Sequence, residues 1–249
     1  AMGYIGSIFL LILNLLLYQK YELFGFENAG SATRFGFILV GIWWISFAQI
    51  AFYYLKDRST GKPLSMKILG NGKKELMKVF KVIRTKEVMY RYLSAFFFYS
   101  MGVQTVMLAS TEFVHKEIKK DVNGEKVPMD PAELIIAIVI MQLVAILGAM
   151  MMAALSKKIG NIKVLMITVF LWICICITAY FIHTDVHFYL IATAIGLVMG
   201  GIQSMSRSTY SKLMPPTEDT ASFFSFYDVT EKVAIAIGLF SFGFMEHIT

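Results

Sequence analysis

The sequence predicts an all-α polytopic membrane protein with seven transmembrane helices, on three observations. Of its 249 residues, 57% are hydrophobic and only 16% are charged, with a mean hydropathy of +0.65, more apolar surface than an ordinary globular domain can hide. A helix crossing a bilayer takes about 20 apolar residues, so seven helices need about 140, close to the apolar total that this composition implies. The apolar residues come as continuous Leu, Ile, Met and Phe runs rather than the alternating stretches of a barrel, and backbone in lipid must satisfy its hydrogen bonds internally. Disorder is excluded by the apolar excess. A disulfide scaffold is excluded because the two cysteines, Cys174 and Cys176, lie two apart inside one apolar run, a spacing for packing rather than for zinc or redox chemistry.

The elements follow in order. Apolar runs at 3–18 and 36–55 open the chain. From 64 to 89, Leu76, Val79, Phe80 and Ile83 recur at helical spacing with Lys74, Lys78 and Lys81 between them, which predicts a basic amphipathic helix on the inner leaflet; the alternative is a solvated linker. A third span covers 91–113. Asn123-Gly124 marks a turn in the loop after it. Asp130-Pro131-Ala132-Glu133 supplies an N-cap, a proline at the first helical position and a reciprocal acid, opening the span at 133–155. Spans at 164–182, 188–206 and 222–245 complete the set, and Gly196, Gly200 and Gly201 predict that the sixth packs tightly or bends.

Orientation comes from the lysines and arginines between spans, which concentrate on the cytoplasmic side. Segment 56–89 holds ten, 156–163 holds three and 207–222 holds two, fifteen on one side against six on the other. Residue 1 is therefore expected in the cytoplasm. The first run has no basic leader or small-residue cleavage site, so no cleavable signal is expected. A chain that starts inside a span and stops at Thr249 straight after a helix is expected to be a piece of a longer protein.

Polar side chains at membrane depth are costly and face a bundle interior or a water-filled path. Ser100, Gln104 and Thr111 fall within about 40° of one another on the third span, a stripe that can line a substrate path or glue helices together. Glu112, at the outer end of that span, reads as interfacial. The last span carries Asp228, Glu231 and Lys232 in its first turns; Asp228 can pair with Lys232 four residues on, and Arg207 is a cross-helix partner for Asp228 or Glu231. This cluster suits a gate at the cytoplasmic mouth, with static anchoring as the alternative. Asn14, Gln49 and Gln142 read as packing hydrogen bonds before substrate contacts. His183, Asp185 and His187 form an H-x-D-x-H pattern that a short exposed loop explains without a metal. No phosphate loop, dinucleotide fingerprint, HExxH or nucleophile elbow occurs, so neither enzyme chemistry nor a cofactor or metal is expected. The +6 charge sits beside apolar runs, which points to lipid and away from nucleic acid.

The stretch Gly200-Gly201-Ile202-Gln203-Ser204-Met205-Ser206-Arg207-Ser208, then Pro215-Pro216, then Phe223-Phe224-Ser225-Phe226-Tyr227-Asp228-Val229, resembles the vacuole-effluxer-like branch of the major facilitator superfamily, whose fungal members include autophagy-related vacuolar amino-acid effluxers. Tyr99 to Thr105 resembles that branch's seventh helix, and Gly3 to Ser7 its fifth. The resemblance implies a twelve-helix fold of two bundles, of which this chain holds helices five to eleven: 1–55 ends the first bundle, 56–89 links the two, and 90–249 begins the second. It also implies a multi-pass permease or effluxer working by alternating access, with the lipid bilayer, a small solute such as an amino acid and the remaining helices as partners. The implied setting is a bacterial inner membrane. Two positions depart from the pattern. Met101 stands where many relatives carry an acid, so no proton-coupling role transfers there, and Lys157 stands in the acid's place of the basic loop motif.

On this reading Ser100, Gln104, Thr111 and Gln203 are candidates for the substrate path, and Arg207, Asp228, Glu231 and Lys232 for the cytoplasmic gate. A seven-helix retinal photoreceptor is the first alternative. Lys232 near the inner end of its helix, a third span with no central carboxylate and a cytoplasmic N-terminus all oppose it. The second alternative is a non-transporting scaffold or sensor that recruits lipid or partners through 64–89, in which loss of the polar stripe leaves activity untouched.

Overall fold

A computed structural model describes residues 2–54, 67–122, 125–182, 184–217 and 219–248. Its elements in chain order are α1 (Met2–Gln19), a short 3-10 turn (Tyr21–Phe24), α2 (Ala29–Tyr54), α3 (Lys67–Thr85), α4 (Glu87–Glu117), β1 (Lys119–Val122), β2 (Glu125–Pro128), α5 (Pro131–Ile159), α6 (Asn161–Ala179), α7 (Asp185–Leu213) and α8 (Thr220–Ile248). All seven predicted runs fall on helices among the described residues, with α6 ending at Ala179, short of the predicted 182. Among the described residues five helices are long and apolar enough to cross a membrane: α2, the Glu87–Ser110 part of α4, α5, α6 and α7. In α1 the apolar stretch is shorter, Ile5–Gln19. In α8, Asp228, Glu231 and Lys232 interrupt the N-terminal half and leave Val233–Met245 as the apolar run.

Local chemistry sets the boundaries. At the start of α5 the Ala132 amide donates to Asp130 Oδ1 at 2.7 Å and the Asp130 amide donates to Glu133 Oε2 at 3.1 Å, the reciprocal cap that the tetrapeptide predicts. Between α5 and α6 the chain turns on Gly160 at φ +89°, a conformation that side-chain-bearing residues rarely adopt. Pro215 and Pro216 follow the end of α7 and cannot continue it. At the start of α8 the Ser222 amide donates to Asp219 Oδ1 at 3.1 Å.

The helices pack in a continuous series, α2 on α1, α1 on α5, α5 on α7, α6 on α7, and α4 on both α7 and α8. The α5–α7 seam is the tightest. A Cβ built on Gly196 would strike the Met141 carbonyl, one on Gly200 the Ala145 carbonyl and one on Gly148 the Leu197 carbonyl. The small residues expected on α7 thus allow backbone-to-backbone contact, as membrane helices without a hydrophobic drive between them need. Outward faces carry exposed Phe37, Trp44, Met166 and Phe240, the surface that lipid solvates. Ser7 donates to Gln142 across α1 and α5, so that amide serves packing, whereas Asn14 donates to the Leu10 carbonyl of its own helix at 2.8 Å. Gln49 lies on the exposed surface of α2.

Two features differ from the sequence reading. The apolar stripe of α3 meets protein: Val79 and Ile83 are buried in the core with α4 and α8, and Phe80 stacks on Phe226 at 6.0 Å, because the facing helices offer an apolar groove where lipid was expected. The loop after α4 is an antiparallel hairpin pairing Lys119 with Pro128 and Val122 with Glu125, where no strand was predicted. The two short segments satisfy each other's backbone, and Val114, Ile118, Met129 and Ile182 form a small apolar cluster close by in sequence and space. The Asn123-Gly124 turn itself lies outside the described residues.

Candidate functional site

A cavity of about 730 Å³ opens between α4, α7 and α8. α4 contributes Ser100 and Gln104, which the helical period places one turn apart; α7 contributes Gln203 and Arg207 with the same spacing; α8 contributes Glu231. Five of the eight candidates predicted from sequence therefore line one space. Asp228 does not line it and is bonded to Arg207, which does. Thr111 falls on α4, and its side chain, like that of Glu112, lies outside the described residues. Lys232 is exposed and does not line the cavity.

Two cross-helix pairs organise the polar wall. Gln104 Nε2 on α4 donates to Glu231 Oε1 on α8 at 3.1 Å. Arg207 Nη2 on α7 donates to Asp228 Oδ1 on α8 at 2.7 Å, and the guanidinium carbon lies 5.7 Å from the Tyr227 ring centre. The expected pairing of Asp228 with Lys232 along α8 is not formed. Arg207 takes that carboxylate from the neighbouring helix, where its guanidinium is held over an aromatic face.

Sequence reasoning missed the aromatic floor. Tyr92 donates to the Ser206 carbonyl at 2.7 Å. Ser206 Oγ donates to the Ile202 carbonyl at 2.6 Å, which leaves Tyr99 to donate to Ser206 Oγ at 2.7 Å. Tyr210 donates to the Phe223 carbonyl at 2.7 Å, tying α7 to α8. Phe96 stacks on Tyr227 at 4.2 Å, and Tyr210 lies 4.9 Å from the same ring. The signal was present in the spacing: Tyr92, Phe96, Tyr99 and Val103 recur on one face of α4, continuous with Ser100 and Gln104. The result is a polar-walled space with a rigid aromatic base, offering a carboxylate, a guanidinium, two amides and several hydroxyls to a small polar guest.

His187 Nδ1 lies 2.8 Å from Thr184 Oγ1, Asp185 opens α7, and His183 lies outside the described residues. Among the described residues no group of His, Cys, Asp and Glu is arranged to hold a metal ion. Cys174 and Cys176 are free and half-buried in α6.

The family described as vacuole effluxer Atg22 like matches residues 1–249, the full sequence. The chain belongs to this family. Among curated relatives, the chain is similar to an uncharacterized MFS-type transporter, YxiO, of Bacillus subtilis, 27% identical over 96% of this chain and 53% of the relative. It is also similar to autophagy-related protein 22 of Yarrowia lipolytica, 25% identical over 96% of this chain and 43% of the relative, and to that of Cryptococcus neoformans, 24% identical over 100% and 44%. The chain spans about half the length of the curated relatives it matches. No solved structure matches. The resemblance read from residues 200–229 is borne out, and so is the all-α multi-pass membrane fold.

Proposed function

We propose that this chain forms part of a secondary transporter that moves a small polar solute by alternating access, with the cavity between α4, α7 and α8 as its half of the solute path. The observation that carries this reading is the joining of Gln104, Gln203, Arg207 and Glu231 around one space from three different helices. Its volume of about 730 Å³ suits a metabolite-sized guest. An amino acid fits the chemistry offered, since Arg207 can face a carboxylate and Glu231 an ammonium group, while one relative carries a transporter name and the family description an effluxer one.

Arg207 and Asp228 form the gate. Their side chains are 59% and 49% exposed, so the pair is only marginally stabilising and can break without a large cost as the helices move. In this proposal 1–55 closes the first bundle, 56–89 links the bundles, 90–249 begins the second, and the N-terminal end lies in the cytoplasm of a bacterial inner membrane. The basic segments 56–89, 156–163 and 207–222 support that sidedness.

The test is amino-acid counterflow in proteoliposomes carrying the full-length protein. Gln104→Ala and Asp228→Ala are expected to reduce flux at least tenfold while the purified protein stays monodisperse. Normal flux in both variants refutes the site, and unchanged function on losing the polar stripe favours the scaffold reading.

A further inference from the structure

A second polar feature lies away from the cavity, at the turn between α5 and α6. Lys157, Lys158 and Lys163 surround Gly160 there, and Lys212 approaches from α7. The turn is anchored: Lys212 Nζ donates to Asn161 Oδ1 at 2.9 Å, and Asn161 Nδ2 donates to Ser208 Oγ at 3.0 Å, with Asn161 itself buried. Two adjoining grooves of about 470 and 380 Å³ open on this turn and share Ile159 and Lys163. No acidic side chain lines either groove, and among the described residues no carboxylate pairs with any of the four lysines. The first turn of α6 forms one wall and has no side-chain cap, so its free amides add positive potential.

The neighbouring surface is apolar. Met166 and Ile167 line the first groove one turn along α6 and are 67% and 41% exposed. A basic surface that met an acidic soluble protein would gain nothing from exposed methionine and isoleucine beneath its lysines. An anionic lipid needs both, a cationic rim for the phosphate and an apolar track for the chains.

We propose that the groove at the α5–α6 turn binds one anionic phospholipid, with Lys158 and Lys163 holding the phosphate and the acyl chains lying along Met166 and Ile167. Bound there, the lipid bridges the α5–α6 turn and, through Asn161 and Lys212, the end of α7 that carries Arg207. Membrane charge would thereby bias the position of a cavity wall.

The test counts lipids retained by the full-length protein in native mass spectrometry, using phosphatidylglycerol, phosphatidylcholine and inorganic phosphate as probes. Wild type is expected to retain phosphatidylglycerol over phosphatidylcholine. Each lysine near a membrane surface changes affinity about fivefold, so Lys158→Gln with Lys163→Gln is expected to weaken retention about twenty-five-fold. Lys158→Arg with Lys163→Arg is expected to keep it, as is Lys74→Gln with Lys81→Gln on α3. All variants are exposed-site changes, and an unchanged melting temperature shows that they fold. The proposal is overturned by undiminished retention in the double glutamine variant, by equal loss in the α3 control, or by equal retention of phosphatidylcholine. Displacement by inorganic phosphate at the same concentration as the lipid also overturns it, since the acyl chains would then contribute nothing.

Discussion

Replacing Gly148 by alanine tests whether backbone contact between α5 and α7 holds the cavity wall in place. The added Cβ would collide with the Leu197 carbonyl and also crowd its carbonyl carbon and Cα, at 2.7 and 2.8 Å. Backbone cannot swing aside as a side-chain end can, so one helix must shift, at about 3 kcal/mol, the upper end for overpacking. Alanine's better helix propensity returns about 1 kcal/mol. The net of about 2 kcal/mol corresponds to a fall in Tm of about 4–8 °C for a chain of this size. Gly102→Ala is the internal control: nothing lies within 4 Å of its Cβ, so only the propensity gain applies, about 0–4 °C upward. Gly201→Ala falls between them, because its obstacle is the root of the buried Met152 side chain, which can give more than backbone but less than a free side-chain end. Thermal unfolding in detergent reads all three. Gly148→Ala melting at or above Gly102→Ala would refute the claim that α5 and α7 touch backbone to backbone.

Three further outcomes are expected. Tyr99→Phe removes the donor to buried Ser206 and should lower Tm by about 2–4 °C, a loss of about 1 kcal/mol, whereas an unchanged Tm would show that the bond contributes nothing. Arg207→Ala should change Tm by less than about 4 °C because the ion pair is half exposed, yet reduce flux in proteoliposomes; a large stability loss with normal flux would make the pair an anchor. Ser222's side chain and then its amide hold the Asp219 carboxyl below its ordinary range, so the cap's contribution is present above the unfolded carboxylate value of about 3.9 and is lost as pH falls through the lowered one. Hydrogen exchange at the start of α8, corrected for intrinsic rates, should show protection falling below about pH 4 in wild type, with Asp219→Ala already unprotected at neutral pH.

Much of the site was legible because helical periodicity converts directly into shared faces. Ser100 with Gln104, and Gln203 with Arg207, are each four apart, so each pair had to share a face once those segments were known to be helical. That Arg207 would reach α8 was foreseen; that it would take Asp228 and leave Glu231 to Gln104 was not, since the choice depends on how far α4 and α7 stand from α8. The tyrosines were overlooked because their rings read as ordinary apolar bulk until Ser206 supplied acceptors. The amphipathic stripe of α3 was correctly seen as a burial surface, but periodicity does not say whether protein or lipid covers it.

Composition and periodicity alone determined the solvent, the helix count, the α5 cap and the positions where α7 can approach a neighbour, because each of these depends on residues within a few turns of one another. Tertiary structure alone decided which helices meet, which carboxylate Arg207 takes and where the cavity opens. Those outcomes join residues as far apart as Gln104 and Glu231, and no local propensity acts over that separation; only the packing of whole helices brings such groups within hydrogen-bond range.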